Sequence, residues 1–361
     1  MQAAGPNARA DAAGHGSVAD SGTEGFLKTL ASYRRMTHRA LLERIPEGGP
    51  PHLYDLAASY PNRNGKGLRA ALCLATCGAL GGRTQRAVNQ SVAIELFHNA
   101  FLIHDDVQDG SEQRRGAPAL FREHGVPIAV NVGNATNLLG LRRLMENRQI
   151  LGPQLGWQLA EETEAMMRHT LEGQAIELAW IRDNASGLEA RDYLHMCLKK
   201  TSWYSFIYPM RVGALIAQGR PLSPDRFCRF GWYMGAAFQI QDDILNLAGA
   251  YKKYGKEIGG DLWEGKRTLM MIELQNRCSG PDSIRLRRFL AKTRSERTGG
   301  EVEWVHDLMQ RYDVLGKARR IARQLAGAAL LEGLVAFRGV ADSQEKQFIL
   351  GMVLFVVNRD R

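Results

Sequence analysis

The run LFHNAFLIHDDVQDGSEQRRG, residues 96–116, sets three carboxylates, Asp105, Asp106 and Asp109, within five positions at the end of an apolar lead-in. On a helix, residues four apart share a face, so Asp105 and Asp109 point the same way with Asp106 beside them. Carboxylates this close raise one another's pKa and cost stability unless a cation or basic groups lie between them. The bland explanation of an acidic cluster is a solvated helix end. Phe97, Ala100, Phe101 and Ile103 just upstream argue instead for a core-facing helix whose carboxylates emerge on a cavity wall. A second run, FQIQDDILNL at 238–247, places Asp242 and Asp243 after another apolar segment, with Asn246 in the i+4 place. Two such helix ends read as facing walls that share hard cations. Oxygen-only ligands suit Mg²⁺, which keeps part of its water and bridges to substrate phosphates.

A bound phosphate also needs positive charge. Lys66 and Arg69 stand in NGKGLRA, Arg114 and Arg115 in QRRG, Lys200 in KKTSWY, and Lys256 and Lys266 in YGKEIGGDLWEGKRT. Arginine forks match phosphate oxygens. Each residue alone reads as a solvated surface charge. Beside two metal-type clusters, the set reads as a diphosphate site.

These side chains must be held by helices. Apolar residues recur at three- and four-residue spacing at Leu27, Leu30, Tyr33; at Leu68, Leu72, Ala75; at Leu155, Leu159, Met166; and at Phe230, Tyr233, Met234, Ala237. Strand alternation is nearly absent and no repeat of fixed period occurs. Gly and Pro punctuate the segments without making a linker, so the expectation is one all-helical domain over residues 25–361. Residues 1–24, rich in Ala and Gly, are expected to be disordered. With 361 residues and 45% apolar content the chain can bury a large core.

The net charge of +9 favours anionic partners. The arginines are spread out and lack interleaved aromatics, which argues against nucleic acid. Five cysteines, an odd number without a CxxC pair, read as reduced thiols of a cytoplasmic protein. The longest apolar run, FILGMVLFVV at 348–357, is about half a membrane span and reads as a buried C-terminal helix, so no transmembrane segment is expected.

The ordered set GKxxR, HN before DDxxD, RRGxP, EGQ, KT, FQxQDD and EGKRT resembles the trans-isoprenyl diphosphate synthases, the polyprenyl synthetase family, from about residue 25 to the C-terminus. The resemblance implies an all-α bundle around a deep central cavity, usually as a homodimer. It implies an allylic diphosphate held by Mg²⁺, about three ions per site, among Asp105, Asp106, Asp109 and Asp242, with Asp243 and Asn246 completing the second row. Arg114, Lys200 and Lys256 would neutralise that diphosphate, with Lys266 from EGKRT nearby. Isopentenyl diphosphate would bind without metal to Lys66, Arg69, His98 and Arg115. Thr201 and Gln239 match positions that line the reacting carbons.

Phe101, one turn above Asp105, is expected to cap the growing chain, with Phe97 two turns up and small Ala100 beside them. That favours a short product, of twenty carbons in preference to fifteen. Four positions depart from the family pattern. Gly67 and Ala70 stand where GGKRxRP has arginine and proline, Asn246 where the second motif has its third aspartate, and Asn134 where an aspartate is frequent. A terpene cyclase on the same scaffold, which has no use for a second diphosphate site, and a non-catalytic partner subunit remain alternative readings.

Overall fold

The computed structural model describes residues 14–63, 65–223, 225–248 and 259–358. In chain order the helices are α1 (Gly14–Leu42), α2 (Tyr54–Ala57), α3 (Ser59–Asn62), α4 (Leu68–Ala79), α5 (Val88–Asp109), α6 (Leu120–His124), α7 (Val126–Ile150), α8 (Pro153–Arg182), α9 (Ala190–Cys197), α10 (Tyr208–Gln218) and α11 (Cys228–Ala248). A π-helical stretch, Leu198–Ile207, joins α9 to α10. Further helices run between Gly260 and Asn358. Among the described residues the one sheet is an antiparallel hairpin, β1 (Gln113–Arg114) with β2 (Ala117–Pro118). The chain therefore adopts the expected all-α architecture in a single domain.

α4 is buried nearly all round, and α1, α5, α10 and the C-terminal helix Gln344–Asn358 pack on it. The apolar run near the C-terminus is buried as its composition required, through Phe348, Ile349, Met352, Val353 and Val356. Phe26 of α1 stacks on Phe348 at 4.8 Å. This contact anchors α1, and its helix runs back to Gly14 rather than beginning near residue 25. Once a helix is nucleated by packing, each added residue gains a hydrogen bond at little entropic cost. Residues 14–24 are thus helical, a correction to the expected tail; residues 1–13 lie outside the described residues.

Two close approaches fix the π-helical stretch that carries Lys200 and Thr201. A Cβ at Gly173 on α8 would stand 2.2 Å from the Lys200 backbone nitrogen, and one at Gly235 on α11 would stand 2.1 Å from Ser202 Oγ. The stretch is clamped between two helices at backbone distance, with no slack for a methyl group. Gly173→Ala is therefore expected to lower the unfolding free energy by about 3 kcal/mol, since backbone cannot swing aside as a side chain can. Urea unfolding measures this, and an unchanged midpoint would contradict the clamp.

Candidate active site

A cavity of about 710 Å³ opens between α5, α8, the π-helical stretch and α11. Of the side chains singled out in the sequence, Asp105, Asp242, Asp243, Lys66, Arg69, His98, Arg114, Arg115, Lys200, Lys266, Thr201, Gln239 and Phe101 line it. Asp106, Asp109 and Asn246 do not, and Lys256 lies outside the described residues.

α5 ends at Gly110, whose left-handed φ of 65° closes the helix. The aspartates of α5 therefore occupy its last turns, where the helix carbonyls already carry partial negative charge. Asp105 faces the cavity and takes Arg114 Nη2 at 3.3 Å, Lys200 Nζ at 3.5 Å and Gln174 Nε2 at 3.4 Å. Asp106 is turned inward, accepting from Tyr60 Oη at 2.6 Å and Arg114 Nε at 2.8 Å. Asp109 is buried against Lys266 Nζ at 2.6 Å. On α11, Asp243 accepts from Tyr193 Oη at 2.7 Å and from Gln239 Nε2 at 2.8 Å. Gln239 in turn accepts from Thr201 Oγ1 at 2.7 Å. Asn246 uses its Oδ1 for the Asp261 N–H, 3.1 Å away. That bond pins the chain so that Asp261, which the sequence reading did not single out, lines the cavity.

The basic residues form two groups. Lys266 reaches Asp109 and Glu264 at 2.6 and 2.9 Å, and Lys200 pairs with Glu177. The second group surrounds His98. Arg69 Nη1 lies 3.2 Å and Arg115 Nη2 3.5 Å from His98 Nε2. Two guanidinium donors at one ring nitrogen require it to accept, so the imidazole is neutral with its proton on Nδ1. Burial first, then Arg69, Arg115 and Arg114, hold it well below the usual histidine range. His98 thus orients cations rather than adding one. Arg115 and Gly116 form the hairpin turn with φ of 54° and 77°, the two-positive pattern of a type I′ turn. The turn sends neighbouring arginines apart, Arg114 to Asp105 and Asp106 and Arg115 to Asn99, His98 and the Tyr60 carbonyl.

The motif EGQ divides into three tasks. Glu172 pairs with Lys199, Gly173 admits the backbone of Lys200, and Gln174 donates to Asp105 and Gln108. Glu177, one turn beyond Gln174, was missed in the sequence although the i,i+3 spacing put it on the same helix face. Ala70 donates its N–H to Glu95 Oε1 at 3.4 Å, which proline could not do. Asn134 is exposed on α7, and nothing in the structure explains it.

The acidic rows suit a hard cation. Asp109 Oδ1 is buried without a hydrogen-bond partner, and oxygen atoms of this type in a crowded carboxylate site fit Mg²⁺. Among the described residues no three acidic, histidine or cysteine side chains form a complete cage. Mg²⁺ does not need one, since one or two carboxylates with substrate phosphates and water hold it.

Burial and the neighbouring Asp105 push the Asp109 carboxyl up to about 7, against the pull of Lys266. Lys266 stays charged, because Asp109, Glu264, Glu177 and Asp261 together overcome the cost of its burial. Relative to the ordinary value of 3.8, Asp109 holds more proton folded than unfolded throughout that window. Its contribution to stability therefore falls as pH rises from about 4 to about 7. Asp109→Asn is expected to remove this slope. In EDTA, the unfolding free energy of the variant should gain on the unsubstituted protein between about pH 5 and about pH 7.5. A constant difference would contradict the assignment.

Residues 50–309 match the model of the polyprenyl synthetase family. The chain is 28% identical over 293 residues to the short chain isoprenyl diphosphate synthase of Methanothermobacter thermautotrophicus, covering 81% of this chain and 87% of that one. It is 26% identical over 328 residues to the geranylgeranyl pyrophosphate synthase of Geoglobus acetivorans, covering 90% and 97%. The crystal structure of geranylgeranyl pyrophosphate synthetase from Pyrococcus horikoshii superposes with a TM-score of 0.81 at 28% identity, over 93% of this chain and 99% of that one. Polyprenyl synthase from Caulobacter crescentus shares the fold with a TM-score of 0.82 at 24% identity, over 94% and 98%. With the family model spanning well over half its length and most of the motif residues lining one cavity, the chain belongs to the polyprenyl synthetase family.

Proposed function

We propose that the chain is a prenyl diphosphate synthase that joins isopentenyl diphosphate to an allylic diphosphate and releases a short linear prenyl diphosphate. The observation that carries this reading is one cavity holding both a carboxylate-rich end and a separate arginine cluster. A cyclase would have no use for the second cluster, and a non-catalytic subunit would have no need of either.

Asp105 and Asp242 would hold Mg²⁺ from opposite walls, with Asp109 beneath, and Asp106, Asp243 and Asn246 positioning their neighbours. When bound, the metal stabilises negative charge growing on the diphosphate leaving group. Lys200 and Arg114 present further donors to it, and the dense charges replace the water it would otherwise need. Lys66, Arg69 and Arg115 orient the second diphosphate without metal, which places its double bond by positioning alone. Thr201 and Gln239, hydrogen-bonded to each other, would line the reacting carbons. Phe101, Tyr204 and Phe238 line the pocket with apolar rings that would keep water from a developing carbocation. The released diphosphate is the natural acceptor of the last proton, so no protein base is required.

Phe101 meets Tyr204 edge-on with ring centroids 5.8 Å apart, and both line the cavity. This supports a blocked floor and a product of twenty carbons, with fifteen as the shorter alternative. Phe101→Ala is expected to lengthen the main product by about one isoprene unit or more, since it removes a full ring from the pocket. Mass analysis of the dephosphorylated alcohols reads this, and an unchanged distribution would refute Phe101 as the stop. We also read the chain as a cytoplasmic homodimer. Val126, Leu138, Leu141 and Met145 on α7 and Trp157 and Leu171 on α8 leave an exposed apolar face that a second copy would cover. Among the described residues no helix is long and apolar enough to cross a membrane.

Purified chain with Mg²⁺, labelled isopentenyl diphosphate and each of the five-, ten- and fifteen-carbon allylic diphosphates tests the function. A linear prenyl alcohol after dephosphorylation is expected. A cyclic hydrocarbon formed without isopentenyl diphosphate, or turnover only when a homologue is added, would overturn the reading.

A further inference from the structure

The segment Gly65–Arg69 is approached from behind by a charged residue that belongs to none of its motifs. Gly67 caps the N-terminus of α4 at φ 66°, ψ 27°, a left-handed conformation open to glycine at little cost. The space a side chain would occupy there is filled from another helix. An ideal Cβ on Gly67 would meet Cγ, Cβ and Cα of Arg34 on α1 at 3.4, 3.5 and 3.7 Å. These are ordinary contact distances, so the stem of Arg34 runs along the bare face of the glycine. Arg34 also lines a small pocket of about 30 Å³ with Glu95, Asn99 and Arg115. Gly65, Gly67 and Arg115 belong to both this pocket and the main cavity. Arg34 lines the small pocket and not the main cavity, and the two are separated by the shared residues Gly65, Gly67 and Arg115.

Cations already crowd that boundary. Arg69 and Arg115 converge on His98, and the Arg115 guanidinium packs against Gly65, where a Cβ would stand 2.7 Å from its Cζ. Among the described residues Glu95, in the same small pocket, is the one anion set against these guanidinium groups, and a bound diphosphate would add to it. Arg69 and Arg115 already spend N–H groups on His98, Tyr204, Ser205, Asn99 and the Tyr60 carbonyl, and a guanidinium arriving from another helix widens the grip on a diphosphate.

We propose that Arg34 is a further binding residue for the diphosphate held without metal, reaching it from α1 past the open side of Gly67. This rests on reading the Lys66–Arg115 cluster as the isopentenyl diphosphate site. Arg34 touches no reacting atom, and its contribution is affinity for one substrate.

Arg34→Met keeps the stem that packs on Gly67 and removes the charge; Arg34→Lys keeps the charge and loses the fork. Titrating isopentenyl diphosphate into the protein in EDTA, Arg34→Met is expected to weaken binding about tenfold, with Arg34→Lys intermediate. In steady state the KM for isopentenyl diphosphate should rise by the same factor, while kcat and the KM of the allylic diphosphate change less than about twofold. A purely structural role would move both KM values and the melting temperature together, and that pattern would overturn the proposal. Arg69→Met separates the two levels of the argument. If Arg69→Met weakens binding and neither Arg34 variant does, the cluster reading stands and the inference falls. If Arg69→Met also leaves affinity unchanged, the cluster reading fails and takes the inference with it.

Discussion

Asp105→Asn is expected to lower kcat about 10³-fold while changing the unfolding free energy by less than about 1 kcal/mol. Its side chain is 22% exposed, and each of its cationic partners has a stronger one elsewhere. Arg114 lies closer to Asp106, and Lys200 closer to Glu177, than either does to Asp105. Removing the Asp105 charge therefore leaves Arg114 and Lys200 still paired. What is lost is the carboxylate that faces the cavity, where the leaving group and its metal must be held. Steady-state turnover and urea unfolding read the two effects separately. A large loss of stability with kcat preserved would assign Asp105 to the fold instead.

Asp106→Asn is expected to do the reverse, costing about 3–5 kcal/mol of stability. The Asp106 side chain is 1% exposed and the Arg114 side chain 7%. Tyr60 closes the arrangement, donating its hydroxyl to Asp106 at 2.6 Å while accepting the Leu120 N–H at 3.0 Å. Neutralising Asp106 leaves a buried guanidinium with only the longer contact to Asp105. Activity of the folded fraction falls as well, because Arg114 loses its anchor. Urea unfolding of the variant measures this, and stability equal to that of the unsubstituted protein would show that the pair adds nothing.

These two neighbours mark how far the sequence could be read. Adjacent helical residues differ by about 100° around the axis, so Asp105 and Asp106 were bound to face different surroundings. The motif alone did not tell which of the two faces the cavity. The helical segments emerged from apolar spacing and from the Gly and Pro punctuation between them, and the cavity from carboxylates standing at the ends of apolar helices, because burial and backbone conformation are local properties of sequence. The roles of Asn246 and Glu177 did not emerge, since each depends on a partner far along the chain, Asp261 for one and Lys200 for the other. The π-helical stretch at Leu198–Ile207 has no local signature either. It is set by the close approach of Gly173 and Gly235 from two other helices. The helix over residues 14–24 was missed for the same reason, its stability being supplied by packing further along α1.

The most direct test of the two-walled site is a crystal structure of the protein soaked with Mg²⁺ and inorganic diphosphate. Metal density bridging the diphosphate to Asp105 on α5 and to Asp242 on α11 is the predicted result. Metal bound to one row alone would contradict it.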